Sequence, residues 1–124
     1  MKNWLVKLAR STIAGLWIGW LFTHFSFVIP IKRLRETESL MAFHHPQPSY
    51  PIHILIVPKR PYPDLLALET ADTPFLIELF QVVQSLILEF HLDQSGYRLI
   101  TNGGTYQDVP HLHFHLVSGE KRVV

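Results

Sequence analysis

Four short runs of apolar residues, each bounded by turn-forming residues, predict four β-strands. The runs cover residues 40–44, 52–57, 97–101 and 109–117. In the last run, histidine alternates with apolar residues over the sequence His-Leu-His-Phe-His-Leu-Val. Because successive side chains of a strand point to opposite faces of the sheet, the three histidines are expected to share one face while the apolar side chains pack on the other.

A longer segment with helical periodicity separates the second run from the third. Apolar residues recur at spacings of three and four from Phe75 to Phe90, which predicts one amphipathic helix that ends near His91. Asp72 is expected to cap this helix with its side chain, and Pro74 suits the first turn. The prolines of residues 46–51 and 59–63 predict loops, and residues 64–69 a short helical turn. This order indicates an α+β fold, an antiparallel sheet with one long helix packed on it.

The first thirty residues have a different pattern. No Asp, Glu, Lys or Arg occurs from Ser11 to Ile31, and most of these residues are apolar. About 20 such residues span the hydrocarbon core of a bilayer, and basic residues at both ends leave the orientation open. We predict that residues 11–31 anchor the protein to a membrane, with an apolar segment at residues 1–28 and a cytoplasmic domain at residues 29–124. The alternative is a soluble cytoplasmic protein in which this segment is an apolar first helix of the domain.

Composition narrows the class of protein. The chain has 124 residues, which suits one domain, and its formal net charge of +1 gives no electrostatic case for nucleic acid as a partner. It contains no cysteine, so neither a disulfide framework nor a thiolate zinc site can form. Clustered histidines remain the strongest chemical signal, because imidazole donates, accepts or attacks near neutral pH.

The histidine run and the segments before it resemble the histidine-triad family of nucleotide-binding hydrolases and transferases. Residues 111–117 follow the family signature, in which three histidines alternate with apolar residues. Residues 53–59 resemble the family's histidine-led strand that ends in Pro-Lys, and residues 40–44 the strand that lines the base pocket. Asn102 and the two glycines after it are similar to the loop before the triad. The resemblance implies a HIT-like fold, with an apolar N-terminal helix before the sheet, a nucleotide substrate and a homodimer.

The resemblance also implies a role for each residue of the site. His113 would attack phosphorus and carry a covalent nucleotidyl intermediate, which water then hydrolyses. His111 and His115 would orient the nucleophile or contact phosphate oxygens, and His53 matches the histidine that lies against the triad. The residues expected to contact the nucleotide are Phe43, His44, His45, Asn102, Gln107 and Asp108.

Two of these positions depart from the family pattern. His45 stands where relatives carry an Asp that holds the ribose hydroxyls, and Asp108 stands where they carry a Ser or Thr that assists the leaving group. These departures leave a second interpretation open, in which the protein is a non-catalytic nucleotide-binding module tethered to a membrane. A third is a metal-binding protein, because histidines on one face can bind zinc. No carboxylate or cysteine ligand accompanies them, so we expect neither a metal nor another cofactor.

Overall fold

A computed structural model describes residues 31–123, in which an antiparallel sheet is covered on one face by a long helix. The strands are β1 (Arg35–Glu36), β2 (Leu40–His44), β3 (Ile52–Pro58), β4 (Arg98–Ile100) and β5 (Phe114–Ser118). The helices are α1 (Thr73–Glu89) and the four-residue α2 (Leu92–Ser95), with 3₁₀ turns at Leu65–Ala67, Thr70–Asp72 and Gly104–Tyr106. The strands lie in the order β1-β2-β3-β5-β4, and every neighbouring pair is antiparallel.

The main core lies between the sheet and α1. Alternate residues of β2, β3 and β5 point at the helix, and the apolar stripe of α1 packs against them. The buried residues of this core include Leu40, Ala42, Ile54, Ile56, Phe75, Leu79, Leu86, Phe114 and Leu116. Burying each large apolar side chain stabilises the fold by about 1.5–3 kcal/mol. The alternation along the strands predicts the sheet side of this interface, and the helical period predicts the side formed by α1.

The opposite face of the sheet carries a smaller apolar cluster beside the histidines. Met41, Phe43, Leu55 and Val57 are buried there, and Ile31 packs against them. Phe43 pairs with Leu55, and Leu55 pairs with His115, so an apolar row from β2 and β3 ends at a histidine of β5. This pairing of the strands fixes how far the apolar cluster lies from the histidines on the same face of the sheet.

The start of α1 lies where the sequence predicts it, but the role expected of Asp72 is wrong. Its side chain makes no capping bond to α1. One carboxylate oxygen accepts the backbone N–H of Glu69 at 2.8 Å, and the other accepts the hydroxyl of Tyr62. The Tyr62 hydrogen bond lowers the pKa of Asp72. Because a 3₁₀ turn precedes the helix, the carboxylate closes that turn instead and ties it to the loop after β3.

The last strand is shorter than the sequence predicts. Its ladder begins at Phe114, because the backbone before it is bonded elsewhere. The N–H of His111 donates to the carbonyl of Val109 at 2.8 Å, and the N–H of Leu112 donates to the carbonyl of Tyr62 at 2.8 Å. Residues 109–113 therefore form a turn and a bridge to a loop, which apolar alternation alone does not distinguish from a strand. The strand β1 and the helix α2, each of four residues or fewer, were not predicted.

The apolar N-terminal helix and the domain boundary at residues 28 and 29 lie outside the described residues. Within residues 31–123, one helical segment, Thr70–Glu89, which joins the 3₁₀ turn to α1, is long and apolar enough to cross a membrane by length and composition. Its buried side chains are those that pack on the sheet. This segment is accordingly the core helix of the fold.

Candidate active site

Four histidine rings form a row on the sheet face that points away from α1. The ring of His53, on β3, lies 5.1 Å from that of His115, on β5, and 4.4 Å from that of His45, which follows β2. The ring of His113 lies 4.9 Å from that of His115. The antiparallel pairing of β3 with β5 brings these residues together across 62 positions of sequence.

Hydrogen bonds determine which nitrogen carries the proton in His53 and His115. The backbone N–H of Ser49 donates to Nδ1 of His53 at 3.0 Å, so the proton of the neutral ring is on Nε2. The Nε2–H of His53 in turn donates to Nδ1 of His115 at 2.8 Å. The neutral ring of His115 is therefore protonated on Nε2, which leaves it with an N–H to donate to a ligand.

A second set of bonds orients His113. Its Nδ1–H donates to the backbone carbonyl of His111 at 2.7 Å, and since a carbonyl only accepts, Nε2 of the neutral ring carries a lone pair. The hydroxyl of Thr101 donates to the carbonyl of His113 at 2.9 Å and holds its backbone. His111 is itself fixed by its Nε2–H, which donates to the carbonyl of Pro58 at 3.2 Å. The arrangement leaves a lone pair on Nε2 of His113, which can act as a nucleophile, beside the His115 ring, which carries a hydrogen-bond donor.

Burial keeps the supporting histidines neutral. It lowers the pKa of His53 and of His111 below the ordinary histidine value. Burial, with the neighbouring histidines adding to it, lowers the pKa of His115 to about 3. The hydrogen bond between His53 and His115 requires this state, because a proton on Nδ1 of His115 would face the N–H of His53.

These lowered pKa values predict that the folded protein loses stability in mild acid. The ring of His115 protonates below pH ~6.5 in an unfolded chain, whereas in the folded protein its pKa is about 3. The unfolded state therefore binds more protons between these values, and the free energy of unfolding falls as the pH falls. We expect His115 to account for about 1–2 kcal/mol of the loss from pH ~7 to pH ~5, measured by urea unfolding at both values.

Two variants separate this contribution from general acid sensitivity. His115→Gln should lose less stability than the wild type over the same pH interval. His91→Asn should match the wild type, because His91 is exposed and its left-handed backbone, with φ of 56°, also suits Asn. A wild-type protein that is equally stable at both pH values would contradict the assignment of neutral buried rings.

Of the predicted pocket residues, the structure brings Phe43 and His45 to this face and places His44 on the other. Phe43 is buried in the apolar cluster that adjoins His115. Asn102 is exposed two residues after β4 and follows in sequence the Thr101 that holds the backbone of His113. His44 lies on the other face of the sheet, where its ring meets the edge of the Phe90 ring at 5.7 Å. Strand alternation explains the difference, because neighbours in β2 point in opposite directions.

The loop before the triad uses its polar residues in two ways. The side-chain amide of Gln107 donates to the carbonyls of Pro63 at 2.7 Å and Val109 at 3.0 Å, so this side chain closes the loop. Asp108 is exposed in the same loop. Within residues 31–123, no group of three or more His, Cys, Asp or Glu side chains could hold a metal ion.

Sequence reasoning missed the groups that orient the histidines. Three of them are backbone atoms, the N–H of Ser49 and the carbonyls of Pro58 and His111, which have no side-chain signature. The fourth, the Thr101 hydroxyl, gave a usable signal, since a Thr ends the predicted strand next to Asn102.

Comparison with known proteins agrees with the fold and with the histidine motif. The HIT-domain family model matches residues 26–122 of the chain. A HIT-like protein of Azospirillum brasilense, itself uncharacterised, is 38% identical over 96 residues, which cover 75% of this chain and 79% of that protein. The structure of a histidine triad protein from Clostridium difficile has a TM-score of 0.68 at 33% identity, over 77% of this chain and 85% of that one.

Two further structures extend the comparison to proteins with a named activity or ligand class. A HIT family hydrolase from Clostridium thermocellum has a TM-score of 0.68 at 31% identity, over 74% of this chain and 82% of that one. A histidine triad nucleotide-binding protein from Candida albicans has a TM-score of 0.65 at 31% identity, over 74% of this chain and 68% of that one. The five-stranded sheet with a long helix packed on it is the HIT fold, and the chain belongs to the HIT-domain family.

Proposed function

We propose that this protein is a nucleotide-binding hydrolase or transferase that cleaves a nucleoside phosphate bond through a covalent intermediate on His113. The observation that carries the proposal is the orientation of His113, whose Nδ1–H is bonded to the His111 carbonyl so that Nε2 has a free lone pair. The names of its relatives, a HIT family hydrolase and a nucleotide-binding protein, support the same class of chemistry.

The hydrogen bonds of the histidines support a different role in the reaction for His113 and for His115. Nε2 of His113 attacks the phosphorus, an N–P bond forms, and the bond from phosphorus to the leaving group breaks. Water then attacks the same phosphorus, which releases the nucleoside monophosphate and restores His113. Since the pKa of His115 is about 3, this ring is neutral at pH 7 and serves as a hydrogen-bond donor to a phosphate oxygen rather than as a proton donor.

Incubation with a panel of nucleotides tests the activity directly. The panel includes dinucleoside polyphosphates, nucleoside phosphoramidates and aminoacyl nucleotides, and the readout is release of nucleoside monophosphate by chromatography. We expect turnover of at least one class. Tight binding of nucleotides with no turnover of any class would favour the second candidate function, a non-catalytic nucleotide-binding module. Two observations favour that candidate, His45 at the ribose position and the exposed carboxylate of Asp108 in the triad loop.

We further propose that the protein is a homodimer, supported by an exposed apolar stripe along α1. Ile77, Phe80 and Leu88 are 55%, 54% and 65% exposed, and their spacing places them on one side of the helix with the uncharged Gln84 between them. An apolar surface of this kind on a soluble domain marks an interface, and a two-fold interface repeats the same patch on both subunits.

The Phe80→Glu variant should therefore weaken the dimer. A carboxylate at this position would be buried near its own symmetry copy, so we expect the dissociation constant to rise by at least about tenfold. Light scattering after size-exclusion chromatography measures the mass over a dilution series. The control is Leu66→Glu, since Leu66 is 91% exposed and lies outside α1. A wild-type protein that is monomeric at high concentration would refute the dimer.

We also propose that residues 11–31 anchor the domain to a membrane, with the domain boundary at residues 28 and 29. The absence of charged residues from Ser11 to Ile31 and the basic residues on both sides support this proposal. Most of this run also lies before residue 26, where the match to the HIT-domain family model begins.

A further inference from the structure

A pocket next to the histidine row takes no part in the chemistry proposed above. Its volume of about 580 Å³ is within the range of small-molecule sites. It lies on the histidine face of the sheet, because His53 pairs with Val117 and Val117 pairs with Arg98, and paired residues share a face. We call it the cationic pocket, and the residues that line it include Tyr50, Arg98, Val117, Glu120 and Lys121.

Hydrogen bonds fix two walls of the cationic pocket. The backbone N–H of Arg122 donates to the carbonyl of Ser49 at 2.7 Å, which holds the segment that carries Lys121 against the loop before β3. The hydroxyl of Ser118 donates to the carbonyl of Gly96 at 2.6 Å and joins the end of β5 to the residues before β4. The pocket is therefore formed before a ligand enters it.

The charge of the cationic pocket favours an anion. Arg98 and Lys121 are exposed, and within residues 31–123 neither makes an ion pair, whereas Lys59 pairs with Glu36 at 2.8 Å. Glu120 is the one acidic residue of the lining, so two cations and one carboxylate leave a formal charge of +1. A phosphate or a carboxylate accepts hydrogen bonds from both cations, and the planar guanidinium suits two oxygens at once.

The cationic pocket lies on the side of the reacting phosphorus from which a leaving group departs. In the proposed reaction Nε2 of His113 attacks, and the Nε2–H of His115 holds a phosphate oxygen, so the phosphorus lies toward His115. In-line displacement puts the leaving group on the far side of phosphorus from the attacking nitrogen. In that direction the same face of β5 carries Val117, two residues or roughly 7 Å beyond His115, at the floor of the pocket.

We propose that the cationic pocket binds the leaving group of the substrate and selects leaving groups that carry a phosphate or a carboxylate. The inference rests on the proposed function for the position of the phosphorus. Arg98 and Lys121 bind the anion. The ring of Tyr50, which lies 5.5 Å from that of His53 and nearly perpendicular to it, packs against the part of the leaving group that joins the anion to the reacting bond.

Phosphoramidates of adenosine 5′-monophosphate whose leaving groups differ in charge test this selectivity. The neutral compound has benzylamine as its leaving group, the second has 4-(aminomethyl)benzoate, and the third has 4-(aminomethyl)phenyl phosphate. In each compound the bond that breaks joins phosphorus to the amine nitrogen, which takes a proton from water as it leaves. The ring holds the anion of the second and third compounds roughly 7 Å from that bond, the separation set by two residues of a strand.

Two measurements on the full chain use these compounds. Calorimetry with His113→Ala gives their affinities without cleavage, and steady-state kinetics with the wild type give kcat/KM. We expect at least one anionic compound to bind about tenfold more tightly than the neutral one, because charge-assisted hydrogen bonds are added to contacts that all three share. The larger of the two gains identifies the preferred anion as a carboxylate or a phosphate.

Charge variants in the His113→Ala background separate the cationic pocket from a general effect of charge. Arg98→Gln and Lys121→Gln should each lower the ratio of anionic to neutral affinity at least about threefold, and Glu120→Gln should raise it. The matched control is Arg122→Gln, since Arg122 is exposed outside the pocket lining and its bond to Ser49 uses only the backbone. Affinity for the neutral compound should stay the same in all four variants.

Each outcome decides the question. Equal affinity for the three compounds, no binding of any of them, or a preference that survives when Arg98→Gln and Lys121→Gln are combined would overturn the inference. An equal fall of the ratio in Arg122→Gln would also overturn it. A wild type that cleaves all three with equal kcat/KM refutes the selectivity and keeps the proposed function. A protein that prefers the anionic compounds but cleaves none of the three refutes the proposed activity and keeps the pocket.

Discussion

His113→Ala should reduce turnover of a confirmed substrate by at least about a thousandfold, because it removes the only atom proposed to bond to phosphorus. Nucleotide affinity should change by less than about tenfold, since a single hydrogen bond is worth ~1 kcal/mol and the neighbouring donors remain. Steady-state kinetics and calorimetry on the same preparation measure the two effects. A large loss in kcat with little loss in affinity is the signature of a nucleophile rather than of a binding residue.

Two controls make this result specific. Ala at position 113 leaves the Thr101 bond to the backbone carbonyl in place, so the melting temperature should stay close to that of the wild type. His91→Asn removes an exposed histidine between α1 and α2 and should leave kcat unchanged. Wild-type turnover by a folded His113→Ala protein would exclude the covalent mechanism.

Removal of residues 1–28 should move the protein entirely from the membrane fraction to the soluble fraction. The run from Ser11 to Ile31 has no charged side chain, and outside a bilayer it would expose a large apolar surface. The family match covers residues 26–122, so the cut spares nearly all of the domain. Ultracentrifugation of lysates measures the distribution, and calorimetry measures nucleotide binding by the shortened chain.

The alternative interpretation of this segment makes the opposite forecast. If residues 21–28 form the first helix of the domain, their removal costs several kcal/mol of apolar burial, and the shortened chain aggregates or melts early. Full-length protein found in the soluble fraction without detergent, together with an unfolded shortened chain, would contradict the anchor.

Much of the fold could be predicted because its pattern is strong. The strand β2 has the bounds that the sequence predicts, Leu40–His44, and α1 begins at Thr73 as expected. The errors arise where hydrogen bonds to distant backbone decide the conformation. Residues 109–113 alternate like a strand, but the carbonyl of Tyr62 takes the N–H of Leu112 and keeps the ladder from starting before Phe114.

The candidate site could also be predicted only in part. The histidine pattern predicts which rings meet, because alternation and antiparallel pairing are enough to bring His53 to His115. It does not predict the tautomers, which depend on single backbone groups such as the N–H of Ser49 and the carbonyl of His111. His44 shows that the residues of a strand that resembles the family's base-pocket strand do not all face the site. Strand alternation turns the His44 side chain to the other face of the sheet, beside Phe90.

Intact-mass spectrometry can detect a covalent intermediate on His113 if the protein is mixed rapidly with a nucleotide that it turns over. We expect a transient mass increase equal to one nucleotidyl group, which peptide mapping places on His113 and which His113→Ala abolishes. Rapid quenching without acid is needed, because N–P bonds hydrolyse at low pH. Turnover of the same substrate with no adduct at any time point, or with an adduct on another residue, would exclude His113 as the nucleophile.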